Sequence, residues 1–131
     1  MKNLTPTQAY AWLQATPNAV FIDVRMEIEH LYVGRPPHIV HVPWYEYPEF
    51  EPNPAHFAAQ VLHTVEGDKH RPVLLLCRSA KRTIPAGAVL EAAGFTDVQH
   101  VLYGFEGDMD EHFHRNTVNG WRVDGLPWEQ M

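Results

Sequence analysis

The chain has 131 residues, a formal net charge of −6 at pH 7 and one cysteine. We expect a single domain over residues 1–131, without an intramolecular disulfide. The acidic balance argues against nucleic-acid binding, which depends on accumulated Lys and Arg. We also expect a cytoplasmic protein that does not bind membranes, because we find neither a signal-peptide core nor the roughly 18 apolar residues of a membrane span.

The amino-terminal part of the chain predicts a helix followed by a buried strand. Thr5 is a typical N-cap and Pro6 suits the first helical position, so a helix should begin there. The apolar run 19–24 is typical of a strand buried on both faces. The charged residues Asp23 and Arg25 should lie where this strand ends.

Two further helices and one strand are predicted before the middle of the chain. Residues 26–32 can form a short helix that stops at Gly34, and residues 39–42 form a strand closed by Pro43. Residues 54–65 carry apolar side chains at helical spacing, which predicts an amphipathic helix.

The most apolar strand, residues 72–77, is predicted to be the centre of the sheet. Residues 83–94 then form a helix with Thr83 as its N-cap, and residues 98–103 form another strand. The tail from Gly104 is rich in turns. Strands that alternate with helices predict an α/β fold, with a mostly parallel central sheet and helices on both faces.

The single cysteine, Cys77, follows the predicted central strand. In an open parallel sheet, ligands bind beyond the carboxyl ends of the strands. The residues after Cys77 must turn into a helix, so their N–H groups and the helix N-terminus should place positive potential around the sulfur. Arg78, Lys81 and Arg82 add three positive charges. This setting favours the reactive thiolate and predicts a cradle for an anion.

The loop itself, CRSAKRT at residues 77–83, resembles the CRSG-x-R-S loop of single-domain rhodaneses, which are sulfurtransferases. In that family a six-residue loop beginning with cysteine holds a persulfide, whereas related phosphatases use a longer C-x5-R loop. Here Cys77 and Arg82 have the shorter C-x4-R spacing. Ala80 and Thr83 stand where the family usually has glycine and serine. The methyl group of Ala80 is compatible with the loop if φ at that position is negative.

Four other segments extend the resemblance over most of the chain. In the segment at residues 33–44, Arg35 and His38 stand where the family usually has histidine and glycine. The segments are FIDVR at 21–25, LYGFEGD at 102–108, VGRPPHIVHVPW at 33–44 and NGWRVDGLPW at 119–128. The resemblance implies a rhodanese-like fold.

The resemblance also implies a two-step sulfur transfer without a metal or other cofactor. The Cys77 thiolate would take sulfur from a small anionic donor such as thiosulfate, and a thiophilic acceptor, cyanide or a thiol, would remove it from the resulting persulfide. The N–H groups of residues 78–82 would stabilise that persulfide. The expected substrate-binding residues are Arg78, Ser79, Ala80, Lys81, Arg82 and Thr83.

The charged residues of the predicted site have different expected roles. Arg78 and Lys81, inside the loop, should steer the donor. Arg82 is expected to lock the loop by pairing with a carboxylate such as Asp23. Asp23 and Arg25 are expected to form a structural ion pair that supports the loop, although Arg25 could also serve the donor.

Two other functions remain open at the level of sequence. The protein could be a persulfide carrier or regulatory binding module that receives sulfur from a partner protein of a sulfur relay. A phosphatase is disfavoured by the short loop.

Two groups of side chains outside the loop have competing interpretations. His112 and His114 lack a third ligand at metal-binding spacing, so we expect them on the solvated surface. Trp44, Tyr45 and Tyr47 are expected to pack under a loop, with a pocket wall as the alternative.

Overall fold

The computed structural model describes residues 1–131 as a parallel sheet with helices on both faces. Its elements in chain order are β1 (Lys2–Leu4), α1 (Pro6–Ala15), β2 (Val20–Asp23), a π-helical segment (Glu29–Val33), β3 (Val40–His41), α2 (Pro54–Thr64), β4 (Val73–Leu76), α3 (Thr83–Ala92) and β5 (Val98–Val101). The five strands are all parallel, in the order β1-β5-β4-β2-β3. The predicted fold class is therefore confirmed. None of the helices combines the length and apolar character required to span a lipid bilayer.

Strand β4 is the centre of the sheet, as predicted. Val73 and Leu75 pack in a core cluster with α2 and α3, whereas Leu74 and Leu76 pack in a second cluster with α1 and the carboxyl-terminal tail. All four side chains are fully buried. A strand covered on both faces requires an uninterrupted apolar run, which is why its position was readable from sequence.

Helix α1 begins where the sequence predicts. The Gln8 N–H donates to Thr5 Oγ1 at 3.3 Å, and the Thr5 N–H donates to Gln8 Oε1 at 3.0 Å. Pro6 occupies the first helical position. These reciprocal hydrogen bonds form a capping box, which satisfies two donors that the helix itself leaves free.

Strand β1 was not predicted, because its residues are mostly polar and exposed. It forms by pairing with the edge of β5, so that Asn3 lies opposite His100. Strand β3 contains only Val40–His41 of the predicted strand 39–42. The short helix expected over 26–32 appears chiefly as the π-helical segment, followed by Gly34 at its end.

The prediction that Thr83 is the N-cap of α3 is wrong. Arg82 occupies the N-cap position, and Thr83 is the first residue of the helix. The Thr83 side chain is fully buried, and its hydroxyl hydrogen-bonds His100 in the interior instead of capping the helix.

Candidate active site

Cys77 lies directly after β4, at the carboxyl end of the central strand. Its side chain is fully buried and belongs to the core cluster that includes residues of α2 and α3. The Sγ atom lies 3.8 Å from Thr83 Oγ1. A covalent reaction at this sulfur therefore requires a reagent small enough to enter the loop, or a sulfur atom that extends outward from it.

The backbone of residues 78–82 is free to bind an anion. None of these five N–H groups donates a hydrogen bond to another group of the protein. The carbonyl groups at the start of the loop are held instead by the segment after β5. Consecutive free N–H groups at a strand-to-helix turn are the arrangement that binds anions in proteins.

Residues 104–107 hold the start of the loop through its carbonyl oxygens. The Phe105 N–H donates to Cys77 O at 2.9 Å, while the N–H groups of Glu106 and Gly107 donate to Arg78 O at 3.0 and 3.2 Å. Gly104 makes this approach possible. A Cβ atom there would lie 2.6 Å from the Arg78 carbonyl carbon, closer than real Cβ contacts occur.

Ala80 has a positive φ of 66°. Ala80 therefore lacks the negative φ at which its methyl group would be compatible with the loop. The left-handed conformation costs about 1–2 kcal/mol for a residue with a Cβ atom, so the loop is strained where the family's glycine would not be.

Two cations of the loop are available to a ligand. Arg78 and Lys81 are exposed, and neither forms an ion pair within the protein. Ser79 and Ala80 between them are half-buried. The loop therefore presents two unpaired positive charges to solvent, whereas its cysteine is buried.

Arg82 has a different partner from the one expected. Its guanidinium binds the Glu29 carboxylate, and its Cζ lies 5.6 Å from the centre of the Tyr45 ring. The predicted pairing with Asp23 is wrong. Burial on its own would raise the pKa of Glu29. The hydrogen bonds and positive charge of Arg82 outweigh this effect, so the pKa lies below its usual range. Burial likewise lowers the pKa of Arg82, and Glu29 more than reverses this effect.

Asp23 and Arg25 form a fully buried ion pair at the end of β2. Arg25 Nη2 donates to Asp23 Oδ2 at 2.7 Å, and His30 Nδ1 lies 2.9 Å from the same oxygen. Burial on its own would raise the pKa of Asp23, but hydrogen bonds from His30 and Arg25 lower it to about 2.

This buried pair reaches the cysteine loop through one intermediate residue. The Arg25 guanidinium lies 4.7 Å from the centre of the Phe105 ring. Phe105 in turn donates its N–H to the Cys77 carbonyl. The geometry therefore suits the expected supporting role of Asp23 and Arg25, and it places neither side chain against the sulfur.

The aromatic residues after β3 separate into two kinds. Trp44 is buried and packs edge-on against Phe57, as expected for a packing residue. Tyr45 borders Arg82, and Tyr47 is 72% exposed beside Phe50.

Sequence reasoning missed three polar residues around the site. Glu29 lies in an ordinary acidic stretch, Asn3 lies in an unpredicted strand, and His100 interrupts an apolar one. Of these three, only His100 could be noticed in the sequence, because it is a polar residue within a mostly apolar strand. His112 and His114 lie on the surface, and the structure contains no group of three or more His, Cys, Asp or Glu side chains arranged to hold a metal ion.

Similarity to known proteins identifies the family of the chain. The family model of the rhodanese-like domain matches residues 5–111. An uncharacterised protein of Rickettsia conorii is 28% identical over 134 residues, with 98% of both chains covered.

Solved structures of other proteins have a similar fold. The crystal structure of Rv0390 from M. tuberculosis has a TM-score of 0.85 and 38% identity, over 100% of this chain and 98% of that one. The polysulfide-sulfur transferase homodimer from Wolinella succinogenes has a TM-score of 0.65 and 24% identity, over 100% of this chain and 80% of that one, and so shares the fold. The chain belongs to the rhodanese-like domain family.

Proposed function

We propose that the protein is a sulfurtransferase that moves sulfane sulfur from a small anionic donor, such as thiosulfate, to a thiophilic acceptor through a persulfide on Cys77. The observation that carries this proposal is the run of five free N–H groups that directly follows the only cysteine of the chain. A catalytic thiol must remain reduced, which suits the cytoplasm, where we place the reaction.

In the first step, the Cys77 thiolate attacks the outer sulfur of thiosulfate. A sulfur–sulfur bond forms to Cys77, the bond within thiosulfate breaks, and sulfite leaves with its electron pair. Arg78 and Lys81 attract the dianionic donor. The N–H groups of residues 78–82 then stabilise the negative charge of the outer persulfide sulfur.

In the second step, the acceptor attacks the outer sulfur of the persulfide. With cyanide, the carbon atom forms a bond to sulfur, thiocyanate leaves and the Cys77 thiolate is regenerated. A thiol acceptor would carry the sulfur away as its own persulfide. The two half-reactions share one site and alternate, so ping-pong kinetics are expected.

A persulfide carrier is the second candidate, and one surface feature favours it. The aromatic side chains of Tyr47 and Phe50 are 72% and 51% exposed. Both belong to an aromatic cluster with Tyr45, which contacts Arg82 of the loop. Exposed aromatic side chains beside a reactive loop would suit a protein that delivers or receives the sulfur.

The intact mass of the purified protein tests the proposal. Thiosulfate should add one sulfur atom, cyanide should remove it with release of thiocyanate, and Cys77→Ser should show neither change while remaining folded. Sulfur loading that occurs only from a partner protein would instead identify a carrier. Absence of any Cys77-dependent sulfur adduct with thiosulfate or polysulfide would refute the proposed enzyme, and Cys77-dependent hydrolysis of an aryl phosphate would favour a phosphatase.

A further inference from the structure

A line of hydrogen bonds runs from the reactive sulfur to the edge of the sheet. Cys77 Sγ lies 3.8 Å from Thr83 Oγ1, which lies 2.7 Å from His100 Nδ1. The other ring nitrogen, His100 Nε2, lies 2.7 Å from Asn3 Oδ1. Cys77 and Thr83 are fully buried and His100 is nearly so, whereas Asn3 is exposed on β1.

The chemistry of these groups fixes the direction of the hydrogen bonds in the structure. Asn3 Oδ1 can only accept, so His100 Nε2–H donates to it. A neutral imidazole carries one N–H, so its Nδ1 accepts from the Thr83 hydroxyl. The Thr83 oxygen therefore presents a lone pair to Cys77, which donates its S–H. This direction suits a thiol.

The same direction is unfavourable when the sulfur carries a negative charge. A thiolate has no proton to donate and requires hydrogen-bond donors. The inner sulfur of a persulfide, Sγ, likewise has no proton to donate, so a lone pair directed at Sγ is repulsive in either state. The Thr83 hydroxyl can donate to the sulfur only if it releases His100 Nδ1, which would then be buried without a partner. All three side chains of the line, however, can exchange donor and acceptor roles.

We propose that the hydrogen-bond line Thr83–His100–Asn3 reverses its direction whenever Cys77 changes between thiol and anion, and that His100 is the positioning residue that turns the Thr83 hydroxyl toward the anionic sulfur. In the reversed line, Asn3 Nδ2–H donates to His100 Nε2, His100 Nδ1–H donates to Thr83, and Thr83 donates to sulfur.

The protons balance in this reversal. The sulfur gives its proton to the Thr83 oxygen, and the Thr83 proton passes to His100 Nδ1. His100 Nε2 then releases one proton to solvent beside the exposed Asn3, whose amide turns to donate. One proton has left the sulfur, one has reached solvent, and the imidazole is neutral before and after. The fully buried thiol thereby gains a route for its proton.

The surroundings of His100 favour a neutral imidazole both before and after the reversal. Burial, and then the positive charge of the amino-terminal ammonium of Met1, just before β1, lower the pKa of His100. That ammonium is paired with Glu91 of α3 at 2.8 Å. On the sulfur side, the charge of Cys77 raises the pKa of the neighbouring Arg82, so Arg82 stays positive. Arg82 is already paired with Glu29.

This inference rests on the proposed function only for the persulfide. Ionisation of Cys77 by raising the pH needs no sulfur donor and tests the reversal by itself. Nitrogen NMR of the protein with isotope-labelled histidine distinguishes the Nε2–H from the Nδ1–H tautomer of His100, while ultraviolet absorbance follows thiolate formation in parallel.

His100 is expected to change from the Nε2–H to the Nδ1–H tautomer in step with the thiolate signal. Cys77→Ser should abolish the change, and Thr83→Val should abolish it while Cys77 still ionises. His70 is an internal control, because its Nδ1 lies 2.9 Å from Thr96 Oγ1 in an exposed pair, and its tautomer should not follow Cys77. A single His100 tautomer throughout the wild-type titration overturns the proposal.

Substitution of His100 gives a second measurement. His100→Asn retains an amide that can donate or accept near the position of Nδ1, whereas His100→Phe can do neither. In His100→Phe the proton affinity of the thiolate should rise about threefold to tenfold, since a charge-assisted hydrogen bond to sulfur loses its support. His100→Asn should remain close to wild type, as should the control His70→Phe. An unchanged thiolate titration in folded His100→Phe also overturns the proposal.

The persulfide provides the link to function. If thiosulfate forms the adduct, His100 should adopt the Nδ1–H tautomer in the persulfide state as well, and retention of the Nε2–H tautomer there contradicts the proposal. If no adduct forms in the wild type, the proposed function fails, while the pH titration still decides the hydrogen-bond reversal.

Discussion

The Arg82 guanidinium donates to both carboxylate oxygens of Glu29, with Nη1 2.7 Å from Oε1 and Nη2 2.9 Å from Oε2. Arg82 ends the cysteine loop, and Glu29 begins the π-helical segment that follows β2. The side chains are only 13% and 10% exposed. The pair therefore ties the loop to a neighbouring part of the sheet's carboxyl edge by two charge-assisted hydrogen bonds.

Removal of the negative charge at Glu29 should loosen the loop. In Glu29→Gln the largely buried guanidinium keeps its charge without a counter-ion, so the free energy of unfolding should fall by about 3 kcal/mol, and sulfur transfer should fall with it. Urea unfolding followed by circular dichroism measures the first effect. The control is Glu129→Gln, since Glu129 pairs with Arg35 at 3.7 Å and is half-exposed. It should change stability by less than about 1 kcal/mol, and equal losses in the two variants would contradict this role.

The partner of Arg82 shows what the sequence could not predict. A structural ion pair for this residue was inferred correctly, but its proposed partner Asp23 is already bound by Arg25 and His30. Glu29 lies 53 residues from Arg82 in the chain. The packing of the segment after β2 determines the carboxylate that reaches the loop. Secondary-structure propensity and local residue spacing do not specify that packing.

Stability should depend on the ionisation of Asp23 in acid. The pKa of this carboxyl is about 2 in the folded protein against 3.8 as its reference value. The folded state therefore favours the ionised form, so the stabilisation is complete above about pH 4 and is lost as the pH falls toward 2. The difference corresponds to about 2 kcal/mol.

Urea unfolding at a series of pH values checks this dependence. Asp23→Asn should be less stable than the wild type at neutral pH, and its free energy of unfolding should decline less steeply between pH 4 and 2. The exposed carboxylate Glu111 supplies a control through Glu111→Gln, which should keep the wild-type slope. An identical acid profile for Asp23→Asn and wild type would contradict the assignment.

Glycine at position 80 should stabilise the protein. Ala80 has φ of 66°, where a Cβ atom is unfavourable. Ala80→Gly should therefore raise the free energy of unfolding by up to about 1 kcal/mol, since relief of strain exceeds the added flexibility of the unfolded chain. The control is Ala59→Gly at an exposed position inside α2, which should lower it by about 1 kcal/mol. A loss of stability in Ala80→Gly would show that the loop is unstrained.

Gly104 should be required for the shape of the loop. It has φ of +68°, and an added Cβ would meet the backbone of Cys77 and Arg78. Gly104→Ala should displace the loop, reduce sulfur transfer at least tenfold and destabilise the fold by about 2 kcal/mol or more. Gly125 is a matched control, because it has φ of +73° with nothing within 4 Å of an added Cβ. Gly125→Ala should show only the backbone cost, about 1 kcal/mol, with activity retained.

The extent of sequence-based prediction follows from how local each feature is. The central position of β4 and the place of Cys77 were predictable, because an uninterrupted apolar run and the turn after it lie within a dozen residues. Strand β1 was not, since three mostly polar residues become a strand only when β5 offers its edge. The contact between Asn3 and His100 arises from that same pairing, so the partner of His100 could not be inferred from the sequence.

The exposed loop cations should act on the donor more than on the chemical step. Arg78 and Lys81 form no ion pair and lie outside the buried sulfur, so they should attract thiosulfate without contacting Cys77. Arg78→Ala or Lys81→Ala should lower kcat/KM for thiosulfate about tenfold, mostly by raising KM, and the deficit should shrink at high salt. Lys69→Ala is the control, because Lys69 precedes β4 at the opposite end of the strand. A salt-independent loss that falls mainly on kcat would contradict steering, because screening weakens the attraction between separated charges but leaves a direct contact in the transition state largely intact.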